Sequence, residues 1–172
     1  MLQPGDPAPA FELPNQHGEP TSLASFAGRV VLWFFPRADT DDRPYDDPWA
    51  RERRERGEPP RCTRQACAFR DQWAAFRERN ATVVGISTDS VPELRAFGED
   101  FELPFDLLSD PDGEVADRYD SLGTKTVEGT DYEIALRNTF VVDERGVVRE
   151  AFRGVSPVDG HAGRVLGALD RL

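Results

Sequence analysis

The chain has 172 residues, 38% of them hydrophobic and spread along its length. That suits one domain with a buried core and leaves no apolar run near the roughly 18–20 residues that a bilayer span needs. Acidic residues outnumber basic ones 32 to 21, and the net charge of −11 disfavours nucleic acid and anionic membranes as partners.

Extended and helical patterns alternate along the chain, which predicts an α/β domain. The start, Met1-Leu2-Gln3-Pro4-Gly5-Asp6, has neither a basic cluster nor an apolar stretch, so no signal peptide is expected and the protein reads as cytoplasmic. Residues 11–14 and 21–23 flank a turn and suggest a short hairpin. Residues 29–36 hold Val30-Val31-Leu32-Trp33-Phe34-Phe35, a strand buried on both faces and ended by Pro36. Residues 62–79 carry Ala66, Phe69, Trp73 and Phe76 at helical spacing. A second buried strand follows over 81–87, then a helix over 91–100 with Ser90 as its N-cap and Pro92 in its first turn. Helices are expected over 111–119 and 160–172. Strands are expected over 138–143 and 147–152, joined by the turn Asp143-Glu144-Arg145-Gly146. With no repeat and no linker, residues 1–172 read as a single domain.

Residues 41–61 do not fit a compact plan. They are rich in Asp, Glu, Arg and Pro, and they separate a core strand from a core helix where about 2–6 residues normally suffice. Asp47 followed by Pro48 is a helix start and Gly57 a stop, so a short helix is predicted over 48–56, with Tyr45 and Trp49 available to pack it onto the body. The segment is either a tolerated surface insertion or a lid or docking surface. Lys125 is the only lysine, the remaining basic residues being arginine; a salt-adapted cytoplasm and a GC-rich genome both produce that bias.

Cys62 and Cys67 are the only cysteines, and His17 and His161 the only histidines. That is no set of ligands for a structural zinc, and in a reducing cytosol a close pair is more readily redox-active than a permanent staple. Cys62 opens a helix, where unpaired N–H groups and the positive end of the dipole favour a thiolate. A free cysteine is only ~3% thiolate at pH 7. Arg61 and Arg64 either add positive charge there or point into solvent. Five residues of intact helix turn through about 500°, which leaves the two thiols about 140° apart and too distant to bridge. A disulfide between them therefore requires the first turns to unwind, as in a cycle that passes through a sulfenic acid on Cys62. On spacing alone, two inert buried helix cysteines remain an open alternative.

Several segments tip that balance. Gly5-Asp6-Pro7-Ala8-Pro9-Ala10-Phe11-Glu12-Leu13 and the stretch from Leu23 to Pro36 resemble peroxiredoxins. Cys62-Thr63-Arg64-Gln65-Ala66-Cys67-Ala68-Phe69-Arg70-Asp71 resembles the two-cysteine helix of the bacterioferritin-comigratory-protein (peroxiredoxin Q) subfamily. The likeness continues through residues 84–90, 107–110 and 137–143 and covers nearly the whole chain in order.

The resemblance implies a thioredoxin-like fold, with a central mixed β-sheet flanked by helices. It implies reduction of hydrogen peroxide and organic hydroperoxides with a thioredoxin-like protein as reductant, in a monomer, without metal or other cofactor. It assigns the peroxidatic role to Cys62 and the resolving role to Cys67. Pro36 and Thr40 match the proline and threonine of the Pro-x-x-x-Thr-x-x-Cys motif, and Arg137 matches the arginine that stabilises the thiolate and the peroxide. The departure is that Thr40 lies 22 residues before Cys62 instead of three, leaving Pro59 in the local position, and that Arg61 replaces the glycine before the cysteine. A thiol–disulfide oxidoreductase would need a Cys-x-x-Cys, which is absent. A non-catalytic thioredoxin-like binding module would not need the cysteine pair together with Arg137. His161 reads as a helix-start or packing residue, and His17 as solvated in a turn.

Overall fold

The structure is a computed structural model that describes residues 1–38, 47–57 and 61–172. In chain order the first elements are β1 (Glu12–Pro14), β2 (Pro20–Ser22), β3 (Arg29–Phe34), α1 (Pro48–Arg56), α2 (Arg61–Asp71), α3 (Trp73–Glu78), β4 (Ala81–Ser87) and α4 (Val91–Asp100). They are followed by β5 (Leu107–Ser109), α5 (Glu114–Arg118), β6 (Leu122–Val127), β7 (Thr130–Ala135), β8 (Thr139–Val142), β9 (Val148–Phe152) and α6 (His161–Asp170). The central sheet has the order β5-β4-β3-β8-β9, with β4 and β5 parallel to their neighbours towards β3, and β8 and β9 antiparallel. This is a central mixed sheet flanked by helices, as the sequence predicts.

The apolar run of β3 explains its central place. Successive side chains point to opposite faces. Val31, Trp33 and Phe35 enter one core cluster with Phe69, Phe76, Leu94, Phe97 and Val165, under the helices. Val30, Leu32 and Phe34 enter the other, with Phe11, Val115, Tyr119 and Phe140. Both faces are covered, so an alternating polar pattern has no place in this strand.

Local chemistry sets several boundaries. Ser90 caps α4 by accepting from the Glu93 N–H, as expected from the sequence. Asp110 accepts from the Val115 and Ala116 N–H groups, so α5 starts at Glu114, later than the expected 111. The helix expected over 62–79 is two helices, broken at Gln72, whose φ of −104° and ψ of 13° leave helical geometry. The hairpin of β6 and β7 was not anticipated. Its turn residues Glu128 and Gly129 both have positive φ (50° and 82°), the signature of a tight two-residue hairpin loop.

Candidate active site

β3, β4 and β5 are parallel, so their C-terminal ends lie along one edge of the sheet. Open α/β sheets place their chemistry at such an edge. There β3 ends, Phe35 donates its N–H to the Ile86 carbonyl, and the half-buried Pro36 follows. Two residues on, the Ala38 N–H donates to Asp89 Oδ2 at 2.6 Å, and the Ser87 hydroxyl donates to the same oxygen at 2.7 Å. Ala38 and Cys62 belong to one core cluster, which brings the end of β3 and the start of α2 together. Thr40, Tyr45 and Pro59 lie outside the described residues.

Cys62 sits in the first turn of α2, where backbone N–H groups lack helical acceptors. Its thiol is free and the residue is only 7% exposed. Arg137 Nη1 donates to Cys62 Sγ at 3.3 Å and to Gln65 Oε1 at 2.6 Å. Gln65 Oε1 also accepts from Trp33 Nε1 at 3.1 Å. The guanidinium thus points a charged N–H donor at the sulfur. The fixed fork leaves further N–H donors for an oxygen ligand.

The position of Arg137 is set by the backbone around it. Its carbonyl accepts from Val155 N–H, and the Asn138 carbonyl next to it accepts from Phe34 N–H at the end of β3. The Asn138 side chain accepts from Gly154 N–H and donates to Ser121 Oγ. The backbone at Arg137 is therefore anchored to the end of β3 and to the segments at Ser121 and at Gly154 and Val155.

Gln65 is the member of the cluster that the sequence reading passed over. It is 1% exposed, a polar residue on the apolar face shared with Ala66 and Phe69. Its spacing of three from Cys62 on one helix was the available signal. Arg64, by contrast, is engaged with Asp159 ahead of α6, at 3.1 and 2.9 Å, and Arg61 is exposed.

Cys67 lies on the same continuous helix as Cys62. Ideal geometry puts their Cα atoms about 8.7 Å apart, beyond the ~7 Å limit for a bridge. Burial pushes the Cys67 thiol above its ordinary value, with Arg70 opposing and Asp71 adding to the rise. In this conformation it is a poor nucleophile. His161, the first residue of α6, is buried; its Nε2 shares a hydrogen bond with Thr139 Oγ1 at 2.9 Å and its ring meets Phe69 and Phe152 edge-on. Burial foremost, then the charges of Arg164 and Arg137, lower its pKa to about 4. His161 is thus a neutral packing residue beneath α2. Among the described residues no three His, Cys, Asp or Glu side chains gather as metal ligands, and no helix is long and apolar enough to cross a membrane.

The sequence model of the AhpC/TSA family matches residues 4–43 and 56–151, leaving 44–55 unmatched. Peroxiredoxin Bcp of Escherichia coli (strain K12) is 36% identical over 152 residues, covering 88% of this chain and 85% of that one. The crystal structure of peroxidoxin BcpB from Mycobacterium tuberculosis superposes with a TM-score of 0.80 at 33% identity, covering 100% of this chain and 99% of that one. The bacterioferritin comigratory protein of Xanthomonas campestris, described for its alkyl peroxide reduction activity, gives a TM-score of 0.75 at 28% identity, over 94% and 90%.

Proposed function

The chain belongs to the AhpC/TSA family, in its bacterioferritin-comigratory-protein and peroxiredoxin Q branch, and is a thiol-dependent peroxidase; on that premise we propose that Cys62 is its peroxidatic and Cys67 its resolving cysteine. The observation that carries the assignment is the Arg137 Nη1 to Cys62 Sγ contact of 3.3 Å at the start of a helix.

The cycle runs as follows. The Cys62 thiolate attacks one peroxide oxygen and the O–O bond breaks. The departing oxygen takes the bonding pair and a proton and leaves as water or an alcohol, while Cys62 becomes a sulfenic acid. Negative charge moves from sulfur to the leaving oxygen, and Arg137 offers donors to both. Gln65 holds Arg137 in place, and Pro36 shapes the pocket at the end of β3. Thr40 is proposed to present its hydroxyl to the thiolate and the peroxide. The first turns of α2 then unwind, Cys67 attacks the Cys62 sulfur, and the hydroxyl departs as water. An external dithiol reduces the disulfide by exchange.

The substrates proposed are hydrogen peroxide and organic hydroperoxides, the latter supported by the activity described for the X. campestris relative. The reductant proposed is a thioredoxin-like protein. Two partner cysteines within one helix favour a disulfide inside one chain and a working monomer, with residues 1–172 as one domain.

The test is peroxide consumption by the reduced protein with dithiothreitol as donor. Replacing Cys62 by Ser should abolish it; undiminished consumption by that variant would overturn the assignment.

A further inference from the structure

Trp49, in the first turn of α1, stands among cations. The Arg37 guanidinium carbon lies 4.9 Å from its ring centroid, and so does Lys125 Nζ, from β6. Tyr132 of β7 meets the same ring edge-on at 5.5 Å. Arg51 makes a two-pronged pair with Glu128 in the β6–β7 turn, at 2.6 and 2.5 Å. Arg37 also pairs with Asp47 at 2.7 Å, and Asp47 caps α1 by accepting from Trp49 N–H at 2.9 Å. Cation–π, aromatic and forked ionic contacts therefore fasten α1 to the β6–β7 hairpin and to the end of β3. These contacts centre on residues 47–51, inside the stretch 44–55 that the family model leaves unmatched.

The segments that hold α1 continue along the chain towards the site residues. Arg37 directly follows Pro36. β7 runs out through Leu136 to Arg137. Beyond Gly57, the described chain resumes at Arg61, the residue before Cys62. α1 is thus tied to segments that run on along the chain to Pro36 and Arg137. Several simultaneous contacts must break before it can move aside, unlike a loop hinged at two ends.

We propose that α1 is a fixed wall of the peroxide site and that Trp49 is a specificity-determining residue that limits the bulk of the accepted hydroperoxide. The proposal rests on Cys62 being the peroxidatic residue. Hydrogen peroxide places only a hydrogen on the leaving oxygen. An alkyl hydroperoxide places its whole hydrocarbon group there, and a wall of Trp49, Arg37 and Tyr132 reduces the room for it without affecting the smaller substrate to the same degree.

The experiment compares second-order rate constants of the full chain for hydrogen peroxide and cumene hydroperoxide, with dithiothreitol as donor. Trp49→Ala is expected to raise the cumene-to-hydrogen-peroxide ratio by about tenfold, the scale on which a pocket discriminates by bulk. Arg51→Glu should shift the ratio the same way, and the exchange Arg51→Glu with Glu128→Arg should bring it back. An unchanged or lowered ratio in folded Trp49→Ala and Arg51→Glu proteins overturns the proposal. If Trp49→Ala does not fold, the charge-exchange pair decides alone. Failure of the Cys62 assignment shows separately, as peroxide consumption by the wild-type chain that survives Cys62→Ser.

Discussion

Arg137 is bound more closely to Gln65 than to the sulfur it serves: Nη1 lies 2.6 Å from Gln65 Oε1 and 3.3 Å from Cys62 Sγ. The amide orientation follows from its neighbours, since Arg137 and Trp33 are donors only and the atom facing both must be the oxygen. Among the described residues Gln65 Nε2 is buried without an acceptor, so it is the carbonyl that the site uses. One side chain on α2 thereby ties the guanidinium, the core tryptophan and the cysteine helix together.

Loss of the guanidinium should act on chemistry. Arg137→Ala is expected to lower the second-order rate of Cys62 oxidation by about 100- to 1,000-fold, the usual effect of deleting a donor aimed at developing charge. Arg137→Lys should recover only part of it, because an ammonium lacks the planar fork. Stopped-flow oxidation with hydrogen peroxide measures both; an Arg137→Ala protein at the wild-type rate would refute the role.

Gln65→Leu removes the shared acceptor, leaving the buried Trp33 Nε1 unpaired and Arg137 Nη1 with the Cys62 sulfur. It should cost about 1–3 kcal/mol of stability and slow Cys62 oxidation by letting Arg137 drift. Gln65→Glu keeps an acceptor oxygen facing both donors and should retain most of the activity. Denaturant unfolding and oxidation rates measured together separate the two variants. Equal rates in Gln65→Leu and wild type would show that Arg137 needs no such anchor.

Disulfide formation should be visible in the core. Cys62 and Cys67 cannot meet while α2 is intact, and unwinding carries Gln65 away from Trp33 Nε1. With Trp49 and Trp73 replaced by Phe, Trp33 fluorescence should change in a second, slower phase after peroxide addition. In Cys67→Ser that phase should vanish and the sulfenic acid should persist, trapped by dimedone. A slow phase that survives in Cys67→Ser would separate the fluorescence change from bridge formation.

His161 gives the fold a pH dependence of definite sign. Its pKa is about 4 in the folded chain, against about 6.5 when unfolded, so the unfolded chain binds the proton first. Stability should be fully present above about pH 6.5, decline as the pH falls to about 4, and level off below, with a total near ~3 kcal/mol. Carboxylates held low in the fold, such as Asp143, extend the loss to lower pH. Urea midpoints at pH 7, 5.5 and 4.5 should fall less steeply in His161→Gln than in wild type; parallel slopes would remove His161 as the cause.

Local rules were enough wherever one residue type fixes one backbone group. Ser90 placed the start of α4, and Asp47-Pro48 and Gly57 gave the bounds of α1. The apolar run at 30–35 announced a strand covered on both faces. Spacing also showed that Cys62 and Cys67 cannot bridge without unwinding, and family likeness singled out Arg137. The β6–β7 hairpin escaped because its strands are largely polar and half-exposed and its turn is Glu-Gly, a weak signal beside Asn-Gly or Asp-Gly. The break at Gln72 escaped because the apolar spacing runs straight through it.

What the sequence indicated by itself was the reaction, through its family likeness, and the two cysteines proposed to carry it; the local geometry of a five-residue helical spacing showed only that they cannot bridge without unwinding. Only the tertiary structure decided what surrounds them. Gln65 is recognisable as the anchor of Arg137 only once β3, α2 and the segment before β8 meet, and Trp49 only once a helix of the unmatched segment lies between cations 12 and 76 residues away in the chain. Contacts between residues so far apart in sequence leave no periodic trace along the chain, since each partner satisfies its own local pattern whether or not the other is present.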